Sequence, residues 1–164
     1  MPNETTESTA SEFERLYPDG DARASTCAET LVATSELLLS NIASLLRPLD
    51  LTPASGLVLS ILADSEDPLP PHEIAERLIV SRATVTGLVD SLESRGLAQR
   101  RPHPTDRRML LVAITDKGRQ RAEEFRPIVH RHHRIWFEVL DDRETGQLTR
   151  LLERVQDKLR SAGS

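Results

Sequence analysis

The chain is 164 residues long, carries a formal net charge of −5 and contains one Trp, one Tyr, three Phe and a single cysteine, Cys27. So few rings imply an aliphatic, Leu-rich and mainly helical core, and one cysteine excludes an internal disulfide. No apolar run is long enough to span a bilayer and the N-terminus lacks the basic-then-apolar pattern of a signal peptide, so the expected setting is the cytoplasm, with one substantial core or a smaller core carrying helical additions.

Residues 1–21 read as an acidic tail. Between Met1 and Glu29 seven acids face two arginines, which predicts disorder at the front; Phe13, Leu16 and Tyr17 make a short amphipathic turn, ended by Pro18, that can dock on a helix. From Ala22 to Arg47 there is neither Pro nor Gly. Two adjacent apolar stripes, one through Leu31, Leu38, Ile42 and Leu45 and one through Val32, Leu39 and Leu46, predict a helix whose apolar face is too wide for a single neighbour. Pro48 ends this first segment, 22–50. Thr52 then caps a second helix with Pro53 at its first position, Leu57, Leu59, Ile61 and Leu62 facing inward, before Asp64-Ser65-Glu66-Asp67-Pro68 breaks out. Pro71 opens a third, short helix to Leu78 with Ile74, Ala75 and Leu78 inward; Pro70 stands where Ser or Thr would cap better. Ile79-Val80 is the turn into Ser81.

Ser81 is a good N-cap. The helix behind it places Val85, Leu88, Val89 and Leu92 on one face, and Gly96 stops it. The opposite face carries Arg82, Thr84, Thr86, Gly87, Asp90 and Ser91, none bulky enough to hold the backbone off a flat partner. Leu97–Arg101 and Met109–Ile114 read as two strands of a hairpin, with Pro102-His103-Pro104-Thr105-Asp106-Arg107-Arg108 as a turn with a basic tip. Helix, turn, helix, then hairpin describe a recognition helix and a wing: small polar side chains reach base edges in a major groove, and a tip arginine reaches the narrow minor groove of A·T-rich DNA. From Ser81 to Arg108 six arginines stand against three acids, a net of +3, so the remainder of the chain carries −8. Positive charge gathered on one unit of an acidic chain is a nucleic-acid footprint; its plain alternative is a solvated basic hairpin with no partner.

Beyond the hairpin, Thr115 caps a long helix from Asp116 to about Val139, which Pro127 should bend. Leu140–Glu144 restarts a last helix with the stripe Leu148, Leu151, Leu152, Val155 and Leu159. A core spanning 51–115 does not need three further long helices to fold; a two-fold dimer reading a pseudo-palindromic site accounts for them.

The segments LTPASGLVLSIL, HEIAERLIVSRATVTGLVDSLESRGLAQRR and DRRMLLVAITDKGR together make Leu51–Gly118 strongly resemble the winged helix-turn-helix core of the MarR family of bacterial transcription regulators. The wing's Asp106-x-Arg108 stands at the expected distance before Ile114-Thr115 and the Lys117-Gly118 step. The resemblance implies that residues 22–50 and 116–162 interlock as a dimerisation region, and that Arg108 enters the minor groove. The fold class expected is therefore mainly α with a small β-wing. The function expected is a DNA-binding regulator, most simply a repressor, with double-stranded DNA, a second copy and a small-molecule effector as partners. Ser81, Arg82, Thr84, Thr86 and Gly87 should face the major groove, Arg107 a phosphate, and Arg100 and Arg101 should add phosphate affinity. Asp106 reads as an ion-pair partner that orients the wing arginines, or more simply as a turn residue.

Other chemistry is weaker. Some MarR-family members sense organic hydroperoxides through a cysteine near the start of the first helix, but aligning Leu45–Thr52 on them puts that position at about Ala28, and their activating tyrosines are missing. Cys27 is thus read as an ordinary buried small residue, with a redox sensor as the alternative. His130 and His133 could share a face for zinc, but two more ligands are needed, with Cys27, His72 or a carboxylate as candidates. A solvated or dimer-facing cluster of His130, His132 and His133 is preferred, with a pH-dependent contact as alternative. Trp136 and Phe137 read as core before they read as a ligand pocket. No cofactor, metal or catalytic motif is found, so the chain is not expected to be an enzyme. Two rival classes are a winged-helix protein-interaction module and a thiol enzyme built on Cys27.

Overall fold

The computed structural model describes Phe13, residues 15–106 and residues 108–162; most of the tail expected to be disordered lies outside them. Phe13 and Tyr17 close one helical turn, their ring centroids 5.0 Å apart. The chain falls into two compact units, one through Pro53 and one from Ala54.

The first unit is dominated by helix α1, Ala22–Leu46, which ends in a 3₁₀ turn over Arg47–Leu49. Asp21 caps it by accepting from the N–H groups of Arg23 and Ala24, satisfying two donors that no carbonyl reaches. The wide apolar face is largely uncovered: Leu31, Val32, Leu37 and Leu39 are exposed, and within the helix only Leu46 is buried. Cys27 is exposed, which corrects the expectation of a buried small residue.

The second unit starts inside α2, Pro53–Ala63, from Ala54. Its buried residues are Ser55, Gly56, Val58, Leu59 and Leu62, with Val58, Leu59 and Leu62 three, four and seven positions after Ser55, so Leu57 falls outside the stripe and is half exposed. The sequence reading had put Leu57 inward and overlooked Val58. Helix α3, Pro71–Leu78, buries Ile74 and Ala75, and Pro70 indeed offers no side-chain cap. Ile79 then takes a left-handed φ of 57°, its N–H reaching back to the Ala75 and Glu76 carbonyls. Helix α4, Arg82–Ser94, buries Val85, Val89 and Leu92, and Gly96 at φ 69° stops it in the left-handed conformation that glycine adopts without strain.

Strands β1, Ala98–Pro102, and β2, Leu110–Ile114, pair antiparallel with Arg100 opposite Val112. Val112 also exchanges both backbone bonds with Leu69, at 2.9 and 2.7 Å. This third rung was invisible in sequence, being one apolar residue between two prolines. Helix α5, Asp116–Phe137, passes through Pro127, whose missing N–H leaves the Glu123 carbonyl without its helical donor. The start of α5 is bound to the end of α4. Thr115 Oγ1 donates to the Gly96 carbonyl, Lys117 Nζ donates to the Arg95 carbonyl, and a Cβ on Gly118 would stand 2.0 Å from the Leu97 carbonyl oxygen. Only glycine allows that approach. Helix α6, Asp142–Ala162, opens with a reciprocal cap between Asp141 and Glu144 and buries no residue at all.

The result is mainly helical with a two-stranded wing, as expected, around an aliphatic core in which Val58, Leu59, Ile74, Val85, Leu92 and Val112 are fully buried. Among the described residues no single helix is long and apolar enough to cross a membrane.

Candidate nucleic-acid interface

Helix α4 separates its two faces sharply. Val85, Val89 and Leu92 anchor one side, while Ser81, Arg82, Thr84, Thr86 and Gly87 are all exposed on the other. Ser81 Oγ accepts the Thr84 N–H at 3.1 Å and lies 2.8 Å from Thr84 Oγ1, so the start of the helix is fixed while both hydroxyls remain at the surface. Thr86 turns its hydroxyl onto the Arg82 carbonyl. Gly87 has open space where a Cβ would stand, with nothing within 4 Å. Inside a helix glycine costs about 0.5–1 kcal/mol relative to alanine, and no internal contact of the chain repays that.

The wing tip is built by side chains that bond backbone. His103 Nδ1 accepts from the N–H groups of Thr105 and Asp106, at 3.3 and 3.2 Å. Asp106 accepts the Arg108 N–H at 2.9 Å, and its carbonyl accepts from Met109. Asp106 thus acts as a turn residue, and no ion pair joins it to Arg108 among the described residues. That leaves the Arg108 guanidinium exposed at the tip. Arg107 lies outside the described residues. Arg101, on β1, is exposed.

Arg100, expected to add phosphate affinity, is engaged by ion pairs within the chain. Its guanidinium lies between two acids of α4, Nη2 at 2.6 Å from Asp90 and Nη1 at 2.5 Å from Glu93, while its backbone N–H donates to Glu93 at 2.8 Å. The bond from that N–H, then the one from the guanidinium, holds the Glu93 carboxyl below the ordinary glutamate range. Sequence reasoning counted Arg100 among the surface cations. The signal available to it was the spacing of Thr86, Asp90 and Glu93, which puts both acids on one flank of α4. His103 was read only as part of the turn, and its bonds to the Thr105 and Asp106 N–H groups were missed; a His flanked by two prolines in a tight turn was the hint.

The remaining candidates lie elsewhere. His130 and His133 stack edge to face with centroids 6.0 Å apart, and His132 and His133 both approach Trp136. Burial first, and then the charges of His130 and His132, lower the His133 pKa. No group of three potential metal ligands comes together among the described residues. Phe137, read as core, is exposed. Of the α6 stripe, Leu148, Leu151, Val155 and Leu159 are 38–66% exposed and Leu152 is half-buried.

Comparison with known proteins fits this geometry. A MarR family model matches residues 49–109. The transcriptional repressor YetL of Bacillus subtilis is 41% identical over 71 residues, 43% of this chain and 42% of that protein, so the chain spans less than half of YetL. The transcriptional repressor MprA of Escherichia coli K12 is 30% identical over 124 residues, 74% of this chain and 70% of MprA. Among solved structures, CouR from Rhodococcus jostii RHA1 bound to p-coumaroyl-CoA superposes with a TM-score of 0.74 at 26% identity, covering 83% of this chain and 95% of CouR.

Proposed function

The chain belongs to the MarR family of transcription regulators, and from that premise we propose that it is a repressor that reads a pseudo-palindromic operator as a homodimer. The observation that carries the DNA reading is the exposed face from Ser81 to Gly87, polar, low in profile and firmly capped, beside a basic wing tip. A major groove admits an α-helix, and small residues beside Arg82 on the leading face let its backbone come close. Gly87 then has a reason: its missing side chain lets the helix approach. Arg82 reaches a base or a phosphate near the helix start, and Arg107 and Arg108 the sugar–phosphate edge and minor groove beyond.

The dimer reading rests on α6. A 21-residue helix with Leu148, Leu151, Leu152, Val155 and Leu159 along one side and no buried residue is unfinished in one chain, and so is the wide face of α1. A second copy is the occupant that a two-fold operator requires, with its recognition helices roughly 34 Å apart to enter successive major grooves. Residues 22–50 and 116–162 form this dimerisation region, and 51–115 the reading head. A small organic effector that binds better to a dimer of different spacing draws the population away from DNA; CouR, which shares this fold, is known bound to p-coumaroyl-CoA. The setting is the cytoplasm, where the DNA is.

The test is a titration of the protein with DNA from its own promoter region at several salt concentrations, in parallel with Arg108→Ala. We expect tight binding to one pseudo-palindrome that weakens steeply with salt. Arg108→Ala should bind about 10–100-fold more weakly with an unchanged melting temperature. Unchanged binding by that variant overturns the wing assignment. No binding by the wild type even at low salt favours the protein-interaction module.

A further inference from the structure

We propose that Arg100 is a positioning residue that locks the wing to the recognition helix at a set angle, so that the two read DNA as one rigid body. This rests on the DNA-binding reading above.

Thr86, Asp90 and Glu93 follow one another at spacings of four and three along α4, a single flank beside the exposed reading face. Arg100 meets all three. Its guanidinium pairs with Asp90 and Glu93, Nη2 lies 3.5 Å from the Thr86 carbonyl oxygen, and its own N–H donates to Glu93. One β1 residue therefore grips two turns of α4 with both main chain and side chain. The planar fork of a guanidinium can serve two carboxylates at once, which an ammonium cannot do in a fixed geometry.

The covalent link between helix and wing, Arg95, Gly96 and Leu97, is held by Thr115 and Lys117 from the start of α5. Arg100 adds an attachment that joins the wing directly to the flank of α4. On its other side it is registered opposite Val112, which is itself bonded to Leu69, so the wing cannot tilt without breaking the fork or the sheet. Only 23% of the Arg100 side chain is exposed, and a phosphate would have to compete with two carboxylates for it. Arg101, its neighbour, is exposed and forms no ion pair among the described residues, as a phosphate contact would.

The experiment uses the full-length protein with a duplex enriched by the wild type from a random-sequence pool, and a shuffled duplex of the same composition. Arg100→Gln is expected to lose about tenfold or more on the selected duplex and almost nothing on the shuffled one. Arg100→Lys should not rescue it. In the Arg100→Gln background, adding Arg108→Ala should cost much less than it does alone, because an untethered wing no longer places its tip. The double variant Asp90→Asn/Glu93→Gln attacks the same fork from α4 and keeps Arg100 as it is. Positioning requires weaker selective binding from it, whereas removing negative charge beside DNA and freeing an arginine would otherwise tighten binding.

Three results overturn the proposal. One is equal loss on both duplexes with the salt slope reduced by about one, as expected for Arg101→Gln. Another is rescue by lysine, and the third is tighter binding by the Asp90→Asn/Glu93→Gln protein. Failure of the wild type to enrich any duplex is a different outcome: it removes the DNA-binding reading, and the present one with it.

Discussion

Helices α4 and α6 each carry an apolar stripe, yet they end in opposite conditions. In α4, Val85, Val89 and Leu92 are 0–1% exposed, the start is capped by Ser81, the end is closed by Gly96, and a flank is pinned by Arg100. In α6 the start is capped just as well, by Asp141 and Glu144, but Leu148, Leu151, Val155 and Leu159 remain 38–66% exposed. Local signals make both of them helices. Only α4 also finds its packing partners within the chain. The reading head is thus complete in one copy, and the C-terminal helix is not. On the proposed dimer reading, a single chain shapes the surface offered to DNA and a second chain sets the distance between two such surfaces.

The largest test of that contrast is Leu151→Glu. In the single chain Leu151 is 46% exposed, so the change should hardly affect folding of the reading head. In a two-fold dimer it buries one carboxylate from each copy in place of one leucine from each. Losing about 1.5–3 kcal/mol per leucine, twice over, raises the dissociation constant at least ~100-fold. Analytical ultracentrifugation should show monomers with wild-type helicity, and operator binding should vanish. A variant that stays dimeric and binds DNA would mean that α6 lies outside the interface.

The same contrast explains what could be read from the sequence. Ser81, Gly96 and Thr115 were legible because a cap is decided by one residue and its three or four neighbours. The wing was legible from its turn residues and from the apolar run Met109–Ile114 that follows them. Leu57 and Val58 were confused because α2 is apolar nearly all round, so periodicity left the phase open until the chain packed. The Leu69–Val112 rung joins residues 43 apart in number by backbone alone, and backbone bonding leaves no mark in side-chain pattern. The ion pairs of Arg100 were missed for a related reason. Sequence shows a positive charge, but whether it faces solvent or two acids seven and ten residues earlier is settled by the turn at Gly96.

A middle-sized effect comes from Gly87, which tests α4 without touching the dimer. Nothing lies within 4 Å of its missing side chain, so Gly87→Ala should raise helix stability by about 0.5–1 kcal/mol and the melting temperature with it. Gly87→Leu should also fold. On DNA the order reverses: alanine should weaken operator binding slightly and leucine severely, because added bulk stands the helix off the base edges. If leucine leaves binding unchanged, the exposed face of α4 is not the reading face.

The smallest effect distinguishes the two regions by pH. The His133 pKa is lowered in the folded protein, first by burial and then by its neighbours His130 and His132, so the folded chain resists a proton that the unfolded chain accepts. Stability from this group is therefore complete above the ordinary histidine range. It falls as the pH drops through about 6.5 and levels off once the folded form is protonated too. Glu93 is lowered as well, which for a carboxylate means that its stabilisation persists down to the ordinary glutamate range and is lost only below it. Between pH 7 and 5 the loss should thus come from α5 and not from the Arg100 fork. Trp136, the only tryptophan, lies with its ring centroid 5.8 Å from that of His133, so its fluorescence reports the protonation locally. Melting temperatures measured across that window should decline in the wild type, in step with the Trp136 signal, and decline less in His133→Leu. An identical slope in the variant would put the acid sensitivity elsewhere and leave no difference in pH response between the two regions.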